Sequence, residues 1–188
     1  MNWRISILIT ILTLVSCKKE MSSAMAIVED NYLIEVENLK SIIKKPNIKI
    51  LDFRKKEAYN TGHIDGAVQI WRNHLVDDSY AYGGMMASKT QIETLFGKLG
   101  IQTNDTIIVY DDDGLCEASR LWWILQNYNF KQVKLLHGGI EAWKANNGHI
   151  TKDITEIKQT EFKLKANPLM AYHVQKQEVL KALETNTI

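Results

Sequence analysis

The stretch Ile107–Trp123, IIVYDDDGLCEASRLWW, constrains the fold of this chain more than any other. Ile107, Ile108, Val109 and Tyr110 form a short apolar run, the pattern of a strand buried on both faces. Asp111–Cys116 is polar and contains Gly114, so it reads as a loop. The spacing of large apolar residues after it predicts a helix over Glu117–Tyr128. A strand, loop and helix in this order turn backbone N–H groups toward one point. That point is an anion site at the carboxyl edge of a parallel sheet.

The flanking sequence repeats the alternation. A helix is predicted over Leu33–Lys44 from the spacing of Ile34, Val36, Leu39, Ile42 and Ile43, with Pro46-Asn47 stopping it. Strands are predicted at Ile48–Phe53, Gly66–Ile70 and Val133–Leu136, and a short helical turn at Lys55–Gly62. His74–Met86 reads as a polar loop. Ser88 with Gln91 forms a capping box that opens a helix over Lys89–Leu99, which Gly100 ends. After a Gly138-Gly139 turn, a last helix runs over Ile140–Asn146. Strands alternating with helices define an α/β fold with a central, mainly parallel sheet and helices on both faces. Residues 33–149 account for this one domain. Residues 150–173 read as a polar linker with one edge strand in Glu161–Lys165.

The carboxyl-terminal residues 174–188 echo the start of the domain. Ile34, Leu39, Ile43 and Ile48 match Val174, Val179, Leu183 and Ile188 at one constant offset. Repetition of this kind predicts the beginning of a second, truncated copy, against chance agreement of two amphipathic helices.

The amino terminus is built differently. A basic start, Met1–Arg4, precedes the apolar run Ile5–Val15, which is too short for a mature membrane span and suits a signal peptide over residues 1–16. Leu14-Val15-Ser16-Cys17 resembles a bacterial lipobox. That resemblance implies cleavage before Cys17, lipid attachment there, and a tether over 17–32 holding an exported domain at a membrane of the cell envelope, on its periplasmic or outer-membrane side. The formal net charge of +1 excludes the strongly basic surface that nucleic acid requires. The chain has two cysteines, Cys17 and Cys116, so with Cys17 acylated no internal disulfide forms and Cys116 is the one free thiol.

Three segments carry a family resemblance. Leu51–Trp71, LDFRKKEAYNTGHIDGAVQIW, has an acid-x-Arg at a strand end followed by Gly-His-Ile-Asp-Gly-Ala. The second is Ile107–Trp123. The third, Val133–Trp143, VKLLHGGIEAW, runs from a strand through Gly-Gly into a helix with Trp. Their order and spacing resemble the rhodanese family, and Ala118–Trp123 after Tyr110-Asp111 resembles the amino-terminal domain of two-domain thiosulfate sulfurtransferases. The resemblance implies a rhodanese fold and transfer of sulfane sulfur from a small anionic donor such as thiosulfate to a thiophilic acceptor, with no cofactor and no metal. In such domains a cysteine directly after the central strand carries the sulfur, its thiolate stabilised by surrounding N–H groups and a helix amino terminus. Here that position is Asp111. The resemblance therefore implies a non-catalytic half whose catalytic partner is a second rhodanese domain. An inactive binding or regulatory module is the alternative.

The remaining candidates carry two readings each. Cys116, near the helix amino terminus, is either a sulfur carrier reaching the same cradle from the far side or a bystander thiol, and Asp111, Asp112, Asp113 and Glu117 oppose the first. Arg120 is expected to pair with Asp111 or Asp113, with anion binding the other reading. Asp52 and Arg54 are expected to brace the loop as an ion pair, and His63 to hold a backbone group. Gly138 and Gly139 belong to the closing motif. Consecutive Asp111–Asp113 do not converge on one ion, so no metal is expected. Cys116 and Arg120 stand closer together than a phosphatase loop needs, and no nucleophile elbow, P-loop or zinc cysteine set is present.

Overall fold

The computed structural model describes residues 32–164 and 170–185. The signal peptide, Cys17 and the tether up to residue 31 lie outside the described residues, as does Ile188.

The main sheet has five strands in the order β1-β6-β5-β2-β4. They are β1 (Leu33–Ile34), β2 (Ile48–Asp52), β4 (Ala67–Gln69), β5 (Thr106–Tyr110) and β6 (Val133–Leu136). All four pairings are parallel, and Ile50 stands opposite Ile108 at the centre. Along β5 the side chains alternate between faces, as a strand's period of two requires. Ile107 and Val109 pack with Ile92 and Phe96 of α3 (Lys89–Lys98) and with Leu121, Ile124 and Leu125 of α4 (Ala118–Asn127). Ile108 and Tyr110 pack with Val36 and Leu39 of α1 (Val36–Ile42) and with Ile140 and Trp143 of α5 (Gly139–Ala145). Two apolar layers thus sandwich the sheet. The run Ile107–Tyr110 is uninterrupted because both its faces are buried.

The Ser88–Gln91 capping box forms in both directions. The start of the domain departs from expectation. Leu33–Ile34, placed in the first helix by side-chain spacing, is an edge strand: Leu135 N of β6 donates to Tyr32 O just before it, and His137 N just after β6 donates to Ile34 O. Ile34 is buried in the strand, and its spacing to Val36 and Leu39 also fits a helix, so apolar spacing did not distinguish them. The sheet's unpaired edge backbone does, because it must find partners.

A second departure lies after α5. β7 (Ile150–Thr151) pairs antiparallel with β3 (His63–Ile64), which directly follows α2 (Lys56–Thr61). The segment then returns across the domain. Phe162 is buried edge-on against Phe96 and Phe130, with ring centroids at 5.0 and 5.5 Å, and Leu164 is buried beside them. Among the described residues, Glu161–Leu164 forms no strand. The alternation that suggested one comes from Phe162 and Leu164 pointing into the core from an irregular segment. A final helix, α6 (Lys176–Glu184), leaves Val179, Leu180 and Leu183 exposed.

Candidate functional site

The loop after β5 forms at the carboxyl edge of the sheet and coils tightly. Gly114 and Leu115 both adopt positive φ, +61° and +70°, which curls successive N–H groups toward a common centre. The centre holds the chain's own carboxylate. Asp111 Oδ1 accepts the N–H of Asp113 at 3.2 Å and of Leu115 at 2.9 Å. Asp111 Oδ2 accepts the N–H of Glu117 and of Ala118, both at 2.9 Å. The residue is fully buried. Its backbone is fixed as well, since its carbonyl accepts the N–H of Ile140 at 2.9 Å. Gly139, at φ +57°, lets α5 approach this closely: a Cβ there would meet the Asp111 carbonyl oxygen at 2.4 Å. Gly138 at φ +70° turns the chain from β6 into α5. The predicted convergence of N–H groups is present, and an internal anion fills it.

Cys116 is exposed on the outer side of this loop as a free thiol. It does not share the centre with Asp111. Its N–H donates to the Asp113 carbonyl at 3.0 Å. Arg120 does not pair with Asp111 or Asp113. Asp111 is already saturated by the loop, and the guanidinium instead donates through Nη2 to the Gly84 carbonyl at 2.7 Å. Sequence reasoning passed over Arg72, in the 3-10 turn Arg72–Leu75, which forms an ion pair through Nε with Glu117 Oε2 at the start of α4. Nothing in the spacing of positions 72 and 117 signals the contact, because it depends on β4 and β5 ending at the same edge.

A buried polar network supports the loop from beneath. Arg54 Nη2 and Nε donate to Asp52 Oδ2 at 2.6 Å and Oδ1 at 2.9 Å, and Nη2 also donates to the Gly62 carbonyl at 2.8 Å. Burial pulls the Arg54 pKa down, but the hydrogen bond and charge of Asp52 outweigh it and hold it above its ordinary value. The Tyr110 hydroxyl, one residue before Asp111, donates to Asp52 Oδ2 at 2.6 Å. Burial and the Asp52 charge push the Tyr110 pKa well above its ordinary value. His63 stacks on Tyr59 at 3.7 Å, with its ring nitrogens 3.0 Å from the carbonyls of Tyr59 and Asp153. Gly62 precedes it because a Cβ there would meet Ile150 Cγ2 at 2.7 Å. The Gly-His-Ile motif therefore anchors β3 to β7.

A parallel sheet covered on both faces, with a loop after its central strand that encloses an anion, defines an α/β domain built around a sheet-edge anion cradle. The chain belongs to the rhodanese family: the rhodanese-like domain matches residues 35–146. It is similar to 3-mercaptopyruvate sulfurtransferase of Escherichia coli (strain K12), with 28% identity over 155 residues, 77% of this chain and 54% of that protein. It is also similar to thiosulfate sulfurtransferase of Azotobacter vinelandii, with 28% identity over 122 residues, 65% of this chain and 45% of that protein. Among solved structures, the rhodanese fold of SseA from Escherichia coli matches with a TM-score of 0.74 and 28% identity, over 83% of this chain and 63% of that one. The chain spans about half the length of the curated relatives it matches.

Proposed function

We propose that this chain is the non-catalytic half of a sulfurtransferase that moves sulfane sulfur from an anionic donor such as thiosulfate to a thiophilic acceptor. The observation that carries the reading is the Asp111 carboxylate at the centre of the loop, where it takes four N–H groups. A sulfur-carrying thiolate needs those donors for itself, since they lower its pKa and hold the anionic donor. A resident carboxylate occupies them and repels both. The relatives support the sulfurtransferase class, and Asp111 supports the division of labour.

In this reading the working thiol belongs to a second rhodanese domain that begins with residues 174–188. The exposed apolar face of α6 supports this, as an isolated amphipathic helix is marginal in water and gains stability by docking. The lipobox-like sequence at Cys17 supports a lipid anchor at a membrane of the cell envelope as part of the same reading.

The test is thiosulfate:cyanide sulfurtransferase activity of the full chain beside its Cys116→Ser variant. Thiocyanate formation is expected from neither. Activity in the full chain that disappears in Cys116→Ser would make Cys116 the sulfur carrier and overturn the assignment of this half as non-catalytic.

A further inference from the structure

We propose that the cavity between residues 77–89 and residues 170–177 binds a small, uncharged aromatic molecule. Its lining shares no residue with the Asp111 loop, and the site does not depend on the sulfurtransferase reading.

The cavity has a volume of about 640 Å³, within the range of small-molecule sites. Both of its walls are fastened to the domain. On one side, Met86 bridges Val76, Asp77 N donates to Met85 O at 3.0 Å, and Arg120 Nη2 donates to Gly84 O at 2.7 Å. On the other, Met170 N and Tyr172 N donate to the backbone and side-chain oxygens of Asn127 at 3.2 and 3.1 Å. Trp123 Nε1 holds the same segment through Tyr172 O at 2.8 Å. Tyr128 also lines the cavity, buried, with its hydroxyl donating to Ala87 O at 2.7 Å. The cavity is therefore preformed.

Its lining side chains share one complement, an aromatic ring. Tyr80 and Tyr82 stand 6.0 Å apart at 52° to each other and are 47% and 64% exposed, so a bound ring would cover aromatic surface now open to water. Met85 and Met170, from opposite walls, bring thioethers, which favour the edges of aromatic rings and adapt to their shape. Lys89, 3.9 Å from Glu93, and Lys176 bring ammonium groups, which are attracted to ring faces. The two lysines oppose a cationic ligand. Asp77, whose carboxylate accepts the N–H of Ser79 at 3.0 Å, opposes an anionic one. An alkyl chain would gain from burial alone. Half-buried His173 lines the same cavity, and among the described residues its ring nitrogens have no hydrogen-bond partner. It can therefore bond a polar substituent on the ring.

The experiment is fluorescence titration of the full chain with N-phenyl-1-naphthylamine, an uncharged aromatic probe that brightens in apolar surroundings. Tyr82→Ala and Met170→Ala alter one wall each. Leu183→Ala alters the exposed apolar face of α6, outside the cavity, and Tyr82→Phe keeps the ring. A saturable rise is expected, weakened about fivefold or more in Tyr82→Ala and in Met170→Ala. Tyr82→Phe and Leu183→Ala should bind as the parent does, and 1-naphthol should displace the probe better than 1-decanol. Urea denaturation of each variant separates loss of binding from loss of fold. Absence of a saturable rise, unchanged binding in both wall variants, or equal weakening in Leu183→Ala would each overturn the site. Displacement by 1-decanol but not by 1-naphthol would overturn the aromatic class.

Discussion

Asp111 Oδ2 lies 2.9 Å from the backbone nitrogen of Ala118, a contact across seven positions that fastens the end of β5 to the first residue of α4. A side chain at the end of one element thus caps the next, with the intervening loop wound around it. The helix amino terminus is saturated from within, and its partial positive charge is offset by the same carboxylate.

Replacing this carboxylate should loosen the loop. Asp111→Ala leaves four inward N–H groups without an acceptor and is expected to lower stability by about 3 kcal/mol. Asp111→Asn retains one acceptor oxygen and should lose less. Urea denaturation measures both. A loss below about 1 kcal/mol would mean that the loop does not depend on the charge.

Gly139→Ala tests the other side of the same residue. Its φ of +57° is strained for any side chain, and a Cβ would stand 2.4 Å from the Asp111 carbonyl oxygen. The backbone would have to move and break the Ile140 N–H to Asp111 O bond. The expected cost is about 2–4 kcal/mol in chemical denaturation, whereas a near-neutral result would show that α5 shifts freely.

Much of this architecture was legible because its signals are local. The apolar run Ile107–Tyr110, the Ser88–Gln91 box and the Gly138-Gly139 turn each declare themselves within a few residues. Asp111 was legible as a departure from the family pattern, but not as the loop's internal ligand, since that depends on the positive φ of Gly114 and Leu115. Arg72–Glu117, His63 with Asp153, and β3 with β7 join distant segments, and no sequence period links them. Leu33–Ile34 was misplaced for a related reason: a buried residue at the sheet edge satisfies helix and strand spacing alike.

Tyr110 should make the domain sensitive to alkali. Its pKa is raised in the folded state above the ordinary value near 10, so the folded chain holds this proton more tightly than the unfolded one. Its contribution is complete below about pH 10 and declines as pH rises beyond it. Tyr110→Phe removes the bond to Asp52 and should cost about 2 kcal/mol at neutral pH. The gap between parent and variant should then narrow above about pH 10, while Tyr59 and Tyr128, also raised, titrate in both proteins. Denaturation curves at about pH 8 and about pH 10.5 would show it, and a constant gap would dissociate Tyr110 from the alkaline limb.

Phe162 belongs to the segment that composition alone marks as a linker. It is 2% exposed and touches Phe96 of α3 and Phe130 beyond α4, so it closes one face of the core. The segment's backbone is tied down nearby, since Thr160 N donates to Gly97 O at 2.9 Å and Leu164 N to Glu93 Oε1 at 2.9 Å. Gly97 has no side chain because a Cβ would stand 2.7 Å from the Thr160 carbonyl oxygen. Phe162→Ala should therefore cost about 3–5 kcal/mol, as an aromatic removed from a packed core does. Ile154→Ala, at 86% exposed in the same segment, should change stability by less than about 0.5 kcal/mol. Equal, small effects at both positions in urea denaturation would return residues 152–164 to the status of a linker. A large effect confined to Phe162 makes the segment an integral part of the domain.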